Sequence, residues 1–286
     1  MNRFDDLYGN KLSICMFPFA AKQMDNYDIL RELDSVARSV RSSQPFYSQA
    51  EYVPETLTIV KASGGPVDAC WSSSFHGIVA GVLVDQSKFN LDQVKYIIST
   101  PHVINYLSSH DNERLLFLLG KNGNIFDDEA FRCTRLAAIL LLTSVGVPLI
   151  QQGDEFGEAR ELGSDEPNKK KLPMQWDLLN NEGNRLLFDT FKRLLDLRKS
   201  RDDMTDNNVN FFYEHFGNRV LAYARSQELV VVVHFIKDEK QGYELQNVPE
   251  NGKWIDWLTN EEYQVENNTL KVDLRPFDAR VLILEK

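Results

Sequence analysis

Along the first 200 residues, segments whose apolar residues have helical spacing alternate with short apolar runs. Apolar residues at 29, 30, 33, 36, 37 and 40 have the spacing of one helix face, so residues 27–44 are predicted to form a helix that ends at Gln44-Pro45. Short apolar runs predict strands at 46–51, 67–71, 102–107 and 147–151, and longer periodic segments predict helices at 131–143 and 184–199. Short strands that alternate with helices are typical of parallel βα units.

The pattern changes at the polar stretch 202–210, which reads DDMTDNNVN. Apolar runs of strand length follow at 220–224, 229–235, 243–245, 270–274 and 280–284, and turn residues such as Pro249-Glu250-Asn251-Gly252 separate them. We therefore predict two domains: an α/β domain at residues 1–204 and an all-β domain at residues 205–286.

The composition limits the range of partners. The net charge is −10, from 42 acidic and 32 basic residues, which argues against nucleic acid and against an anionic membrane, whereas a neutral polymer is indifferent to charge. Three separate cysteines without a CxxC pair argue against a zinc or redox motif and suit a reducing compartment. No apolar run has the roughly 18 residues of a membrane span, and no signal peptide is visible. We expect a cytoplasmic protein with no cofactor and no metal.

The strongest candidate for a functional site lies at residues 105–114, where an apolar strand ends in imidazole, carboxylate and amide groups. Adjacent His110 and Asp111 can hydrogen-bond vicinal hydroxyls of a sugar, and the C-terminal ends of parallel strands build the active sites of barrels. The alternative is a polar loop that caps the next helix, because Ser and Asp are good N-caps.

Three other segments give weaker signals. Glu51 stands where the strand predicted at 46–51 stops, which makes it a candidate general acid, although surface loops are also rich in glutamate. Asp154 and Glu155 follow another strand and a glycine, and taken alone they fit a helix N-terminus slightly better. Trp71 is either a platform for a sugar ring or a core residue.

Together these segments resemble the α-amylase superfamily, the thirteenth family of glycoside hydrolases, and within it the subgroup of α-glucan branching enzymes and bacterial α-amylase-like relatives. The segment NYLSSHDNERL (105–115) resembles the motif at the end of the seventh barrel strand. AEYVPE (50–55), followed by DACWSSSFH (68–76), resembles the fifth-strand acid motif and the segment after it in branching enzymes. VGVPLIQQGDEFGE (145–158) resembles the eighth-strand motif, with Asp154 where the family usually has Glu. The β-rich tail resembles the family's C-terminal sandwich.

The resemblance implies a role for each residue that matches a motif. Glu51 matches the general acid/base, Asp111 the carboxylate that stabilises the transition state, and His110 its sugar-binding neighbour. Arg3-Phe4-Asp5 fits the family's R-x-D motif, which makes Asp5 the expected nucleophile. The other residues expected to bind substrate are Arg3, Trp71 and Asn112.

The resemblance also implies a fold: about strands four or five to eight of a (β/α)8 barrel, followed by an all-β sandwich. No segment resembles strands one to three. We therefore expect a truncated product, an incompletely predicted gene, or a subunit whose partner supplies the N-terminal half of the barrel. Some family members bind calcium, mainly through a domain inserted after strand three, and that region has no counterpart here.

The expected function is a retaining, two-carboxylate reaction on α-1,4-linked glucan such as starch or glycogen. The DACW segment favours a branching enzyme, and the alternative is an amylase-type hydrolase. A second alternative is an inactive remnant or a glucan-binding protein, because half a barrel exposes sheet edges and apolar surface.

Overall fold

The structure is a computed structural model that describes residues 13–17, 27–40, 46–161 and 173–286. The chain folds into two compact units: the first takes the chain up to Ser74 together with Pro101–Asn105, and the second takes Phe75–Thr100 and Tyr106–Lys286. Arg3 and Asp5, the predicted substrate-binding arginine and nucleophile, lie outside the described residues.

The first unit is built on a parallel sheet whose strands are neighbours in chain order. Cys70 aligns with Val103 and Ala50 with Cys70, and these side chains are fully buried. Strands β3 (Ala69–Ser72) and β4 (Val103–Tyr106) are buried along their whole length, which is typical of strands in a parallel sheet. The four strands are β1 (Ser13–Phe17), β2 (Phe46–Ala50), β3 (Ala69–Ser72) and β4 (Val103–Tyr106).

Helix α1 (Tyr27–Val40) lies within the helix predicted at 27–44, and charged groups attach it to the sheet. Arg38 donates to Asp34 (2.8 Å) and to Asp68 (2.5 Å), which lies just before β3. Lys61 also contacts both carboxylates, at 2.9 and 3.0 Å. Among the residues of α1, only Leu30 and Asp34 are buried, so apolar packing contributes little to this helix.

The second unit contains the remaining helices and a short strand. Helix α5 (Asp127–Thr143) is apolar on every side from Leu136 to Leu142 and buries eleven of its seventeen residues, so it is a core helix and not a surface one. It begins with three acidic residues, which favour a helix N-terminus. The elements are α2 (Ser73–Val84), α3 (Leu91–Ser99), α4 (Leu115–Gly123), α5 (Asp127–Thr143), β5 (Val147–Leu149) and α6 (Glu182–Ser200).

An eight-stranded antiparallel sheet follows. Its strands are β6 (Asn210–His215), β7 (Val220–Ser226), β8 (Leu229–His234), β9 (Lys240–Leu245), β10 (Gly252–Asp256), β11 (Glu262–Glu266), β12 (Thr269–Leu274) and β13 (Asp278–Leu284), in the order β6-β7-β8-β13-β10-β11-β12-β9. The predicted fold class, a parallel α/β portion followed by an all-β domain, is confirmed. The boundary at 204/205 stays a prediction.

Strands β7 and β8 explain how this domain joins the helices. Successive side chains of a strand point to opposite faces. Leu221, Tyr223, Val231 and Val233 therefore enter the core that contains α5 and α6, while the alternate residues of both strands enter a second core inside the β domain.

Buried polar contacts reinforce this junction. The hydroxyl oxygens of Tyr223 and Thr143 lie 2.5 Å apart, and Arg225 donates to the carbonyls of Thr143 (2.8 Å) and Asp206 (2.6 Å). The bond to Thr143 satisfies a carbonyl at the C-terminal end of α5, which has no partner within the helix. In the described part of the chain, no helix is both long enough and apolar enough to span a membrane.

Candidate active site

The predicted general acid, Glu51, directly follows β2 in the first unit. Only 7% of the residue is exposed, so its carboxyl group is removed from most of the solvent. A shielded carboxyl at a strand end is suited to hold a proton and deliver it to a bound substrate.

Glu55 lies four residues further on and has a different environment. Its carboxylate accepts hydrogen bonds from the Ser73 hydroxyl (2.6 Å) and the Ser74 N–H (3.2 Å), at the first turn of α2. Burial opposes the charged form, but these hydrogen bonds outweigh burial and lower the pKa of Glu55. A carboxyl that stays ionised and caps a helix is a structural residue, which distinguishes Glu55 from Glu51.

Trp71 lies in the middle of β3. The residue is only 4% exposed, and its indole N–H donates to Gln49 on β2 (3.2 Å). A buried ring has no open face on which a sugar can stack, so its position favours the alternative of a core residue over the predicted platform. Its role in binding stays a prediction.

His110, Asp111 and Asn112 lie together on the turn that follows β4. The side chains of His110 and Asp111 are 56% and 45% exposed, and His110 Nε2 lies 3.2 Å from a carboxylate oxygen of Asp111. Ser109 holds the turn closed, because its hydroxyl donates to Asn112 Oδ1 (2.8 Å) and accepts from the Asp111 N–H (3.2 Å). The turn therefore presents an imidazole and a carboxylate to solvent on a fixed backbone.

A buried ion pair anchors both ends of this turn. Asp154, which follows β5, accepts from the Ser108 hydroxyl (2.6 Å) and from Arg114 (2.9 Å), and Arg114 also donates to the Gln152 carbonyl (2.7 Å). Burial raises the pKa of Asp154 to about 6, although Ser108 and Arg114 favour its charged form. Asp154 also opens a short 3₁₀ helix, Asp154–Phe156, as the helix N-terminus alternative predicts, so it is both a first-turn acid and an internal anchor for the turn.

His76 supports the same turn from α2. Its Nδ1 lies 2.7 Å from the Leu107 carbonyl oxygen, and its ring stacks on Tyr106 with 5.9 Å between centroids. Burial lowers the pKa of His76, which favours the neutral imidazole. Ser108, Arg114 and His76 all fall inside the segments that the sequence singled out, but only the folded chain reveals their contacts.

Carboxylates and a histidine at the ends of parallel strands, ahead of an antiparallel β domain, are features of the barrel glycoside hydrolases. Residues 72–185 match the family model described as "Alpha amylase, catalytic domain", and residues 213–284 match the one described as "Alpha amylase, C-terminal all-beta domain". The chain carries a partial catalytic domain of the α-amylase family followed by that family's C-terminal all-β domain.

Several curated proteins are similar in sequence. Neopullulanase 2 of Thermoactinomyces vulgaris is 37% identical over 182 residues, which cover 62% of this chain and 28% of the relative. A cyclomaltodextrinase of Bacillus sp. is 26% identical over 168 residues, which cover 57% of this chain and 28% of the relative. The chain thus spans little more than a quarter of the length of these relatives.

Solved structures share the fold. A pullulanase complexed with maltotriose, from Anoxybacillus sp. LM18-11, aligns with 95% of this chain and 43% of its own, at a TM-score of 0.73 and 18% identity. AmyP in complex with maltose aligns with 96% of this chain and 64% of its own, at a TM-score of 0.73 and 17% identity. At these identities the likeness establishes the fold.

Proposed function

We propose that the protein hydrolyses α-1,4-glucosidic bonds of α-glucans with retention of configuration, and that Glu51 is its general acid/base. The observation that carries the proposal is the contrast within one short segment. Glu51 is a shielded carboxyl at a strand end, whereas its neighbour Glu55 is held ionised as a helix cap. The low exposure of Glu51 at a strand end suits proton delivery, whereas hydrogen bonds at the start of a helix hold Glu55 in its ionised form.

In the proposed mechanism, Glu51 donates its proton to the glycosidic oxygen while a carboxylate oxygen of Asp5 attacks the anomeric carbon. The bond from that carbon to the glycosidic oxygen breaks, the shortened glucan leaves as an alcohol, and a glycosyl ester forms on Asp5. Ionised Glu51 then takes a proton from water, whose oxygen attacks the anomeric carbon and releases Asp5. The family resemblance alone supports the role of Asp5, which lies outside the described residues.

Asp111 and His110 have supporting roles in this scheme. We assign Asp111 the stabilisation of the oxocarbenium-like transition state and His110 a hydrogen bond to sugar hydroxyls. Their exposure on a turn that Ser108, Asp154 and Arg114 anchor supports these roles. Asn112 contributes to the turn through Ser109 and, with Arg3, is proposed to bind substrate.

The relatives favour hydrolysis over branching. Those with significant similarity are named neopullulanase, amylopullulanase, cyclomaltodextrinase and maltogenic alpha-amylase, and none of these names denotes a branching enzyme. The DACW segment is thus a weaker guide to activity than these matches, and the hydrolase alternative becomes the proposal. Pullulanase and AmyP structures with maltotriose and maltose support maltodextrins as the substrate class.

Two substitutions in the same segment test the assignment of Glu51. We expect Glu51→Gln to lower the rate of new reducing ends from maltoheptaose by about 10²–10⁴-fold, because general acid/base catalysis contributes a factor of that size. Glu55→Gln is the matched control and keeps most of the rate, with a lower melting temperature from the weakened cap. An active Glu51→Gln variant, or a folded and inactive Glu55→Gln variant, contradicts the assignment.

An assay on amylose separates hydrolysis from branching. We expect iodine staining to fall while reducing ends rise in proportion. A loss of stain without new reducing ends restores the branching alternative, and neither change from folded protein favours the glucan-binding remnant. Location in the cytoplasm stays a prediction.

A further inference from the structure

An exposed tryptophan lines a cleft in the second unit, formed by residues that have no role in the proposed bond cleavage. Trp176 opens a short 3₁₀ helix, Trp176–Asn180, and the residue is 58% exposed. The cleft has a volume of about 570 Å³ and is lined by Met174, Gln175, Trp176, Asp177, Leu178 and Asn181. A large aromatic side chain this exposed forfeits the burial that stabilises such rings elsewhere in the chain.

The ring is held in place from behind. It packs against the fully buried Phe156, with centroids 5.1 Å apart and planes inclined by 33°. The backbone N–H of Gln175 donates to Glu158 (3.2 Å), a buried carboxylate that also accepts two hydrogen bonds of 2.8 Å from Arg160. Trp176 therefore presents its ring with little conformational entropy left to lose on binding.

The lining of the cleft matches a sugar better than an apolar partner. An indole face contacts the C–H groups of a pyranose ring, while the carboxamides of Gln175 and Asn181 and the carboxylate of Asp177 offer donors and acceptors for hydroxyl groups. All three polar residues are exposed, so they are accessible to a ligand. Flat aromatic surface with polar groups at its edge is the arrangement that neutral, hydroxyl-rich rings require.

We propose that this cleft binds glucose units of an α-1,4-glucan, as a second binding site that deepens the proposed function and rests on it. A chain of contacts joins the cleft to the catalytic turn. A Cβ added to Gly153 would lie 2.4 Å from the Met174 methyl carbon, so the two residues are in close contact, and Asp154, next in the chain, bonds Ser108 at the base of the His110–Asp111 turn. A long glucan is the ligand that can contact both the cleft and the catalytic turn.

Binding is measured in the Glu51→Gln background, so that cleavage does not consume the ligand. We expect Trp176→Ala to weaken the affinity for maltoheptaose and amylose by at least about tenfold, by calorimetry and by migration through amylose-containing native gels, since loss of a tryptophan anchor commonly costs this much. Trp176→Phe recovers part of the affinity. Phe216→Ala, which removes another exposed aromatic ring in the same unit, leaves the affinity unchanged.

Three outcomes distinguish the cleft proposal from the proposed hydrolase function and from an interface between copies of the chain. Unchanged glucan affinity of the folded Trp176→Ala variant in the Glu51→Gln background overturns the cleft proposal. Cleavage of maltoheptaose by the wild-type protein, assayed in parallel, leaves the proposed function standing. Binding that depends on Trp176, without any cleavage by the wild type, retains the cleft and rejects the hydrolase. A Trp176→Ala variant that loses self-association in sedimentation, with affinity unchanged, identifies the surface as an interface between copies and also overturns the proposal.

Discussion

Helix α1 follows strand β1, and helix α5 precedes strand β5, but different interactions hold the two helices in place. Helix α5 buries eleven of seventeen residues in a core that continues into the β domain. Helix α1 exposes a stripe of apolar residues, Ile29, Leu33, Val36 and Val40, and relies on Arg38 and Lys61 for its attachment. Apolar packing thus stabilises the second unit, whereas charge pairing fixes helix α1 of the first.

The difference matters for function because the proposed catalytic residues are divided between the units. Glu51 belongs to the first unit, and His110 and Asp111 belong to the second. Arg38 and Lys61 are about one third exposed, and partly exposed ion pairs are more sensitive to salt than a buried apolar core. We therefore expect the stability of the two units to respond differently to core mutation, to pH and to the removal of charges.

The largest effect is expected from the core of α5. Leu140 is fully buried there, and Leu140→Ala should lower the free energy of unfolding by about 2–5 kcal/mol, since it removes apolar contacts and leaves a cavity. Leu33→Ala, on the exposed stripe of α1, should change it by less than about 0.5 kcal/mol. Urea unfolding followed by circular dichroism measures both, and equal losses would remove the distinction between the helices.

The second prediction concerns pH in the second unit. Because burial raises the pKa of Asp154 above its unfolded value, the folded state binds the extra proton between about pH 4 and 6. Its contribution to stability is full below about pH 4 and falls by roughly 3 kcal/mol as pH rises through 6. Urea unfolding of the wild type and Asp154→Asn across this range measures the slope. A slope that the substitution leaves unchanged would contradict the prediction.

The acids of the first unit have the opposite sign. Burial opposes ionisation of Asp34 and Asp68, but their hydrogen bonds and the charges of Lys61 and Arg38 outweigh it and lower both pKa values. Their stabilising contribution is present above their unfolded pKa and is lost as pH falls below it. Proteolysis within residues 27–40 should therefore accelerate below about pH 4, and an unchanged cleavage rate there would argue against the ion network.

The smallest effect is expected from the ion network at neutral pH. Arg38→Met keeps the apolar stem but removes the hydrogen bonds to Asp34 and Asp68, and it should lower the free energy of local opening of α1 by about 1–2 kcal/mol. Hydrogen exchange of residues 27–40 measures this opening, and residues 127–143 should keep their protection. Asp28→Asn is the control on the same helix, because the pair of Asp28 with Arg31 is exposed.

The sequence predicts the elements whose pattern is strong and local. The periodic run at 131–143 lies within α5, and the apolar runs at 220–224 and 229–235 correspond to β7 and β8. The sequence pattern does not predict β6 or β11, because each strand buries few side chains and a half-exposed strand with charged positions resembles a loop in sequence.

The candidate site is only partly visible in the sequence. The segment at 105–114 suggests His110 and Asp111 because both stand at a strand end, but it does not reveal that Asp154, 46 positions beyond Ser108, anchors the turn. Likewise, Glu51 and Glu55 belong to one motif in the sequence, and the hydrogen bonds from Ser73 and Ser74 that make Glu55 a helix cap are evident only in the folded chain. Interactions between residues far apart in the chain carry this information, and local pattern does not.

The most direct test of the central claim is the configuration of the first product. When maltoheptaose is added to the wild-type protein, ¹H NMR recorded before mutarotation should show new reducing ends as the α-anomer, because two displacements at the anomeric carbon restore its configuration. The Glu51→Gln variant should give no such signal, and Glu55→Gln should give the same anomer as the wild type. A β-anomer as the first product would contradict the retaining mechanism proposed for Glu51.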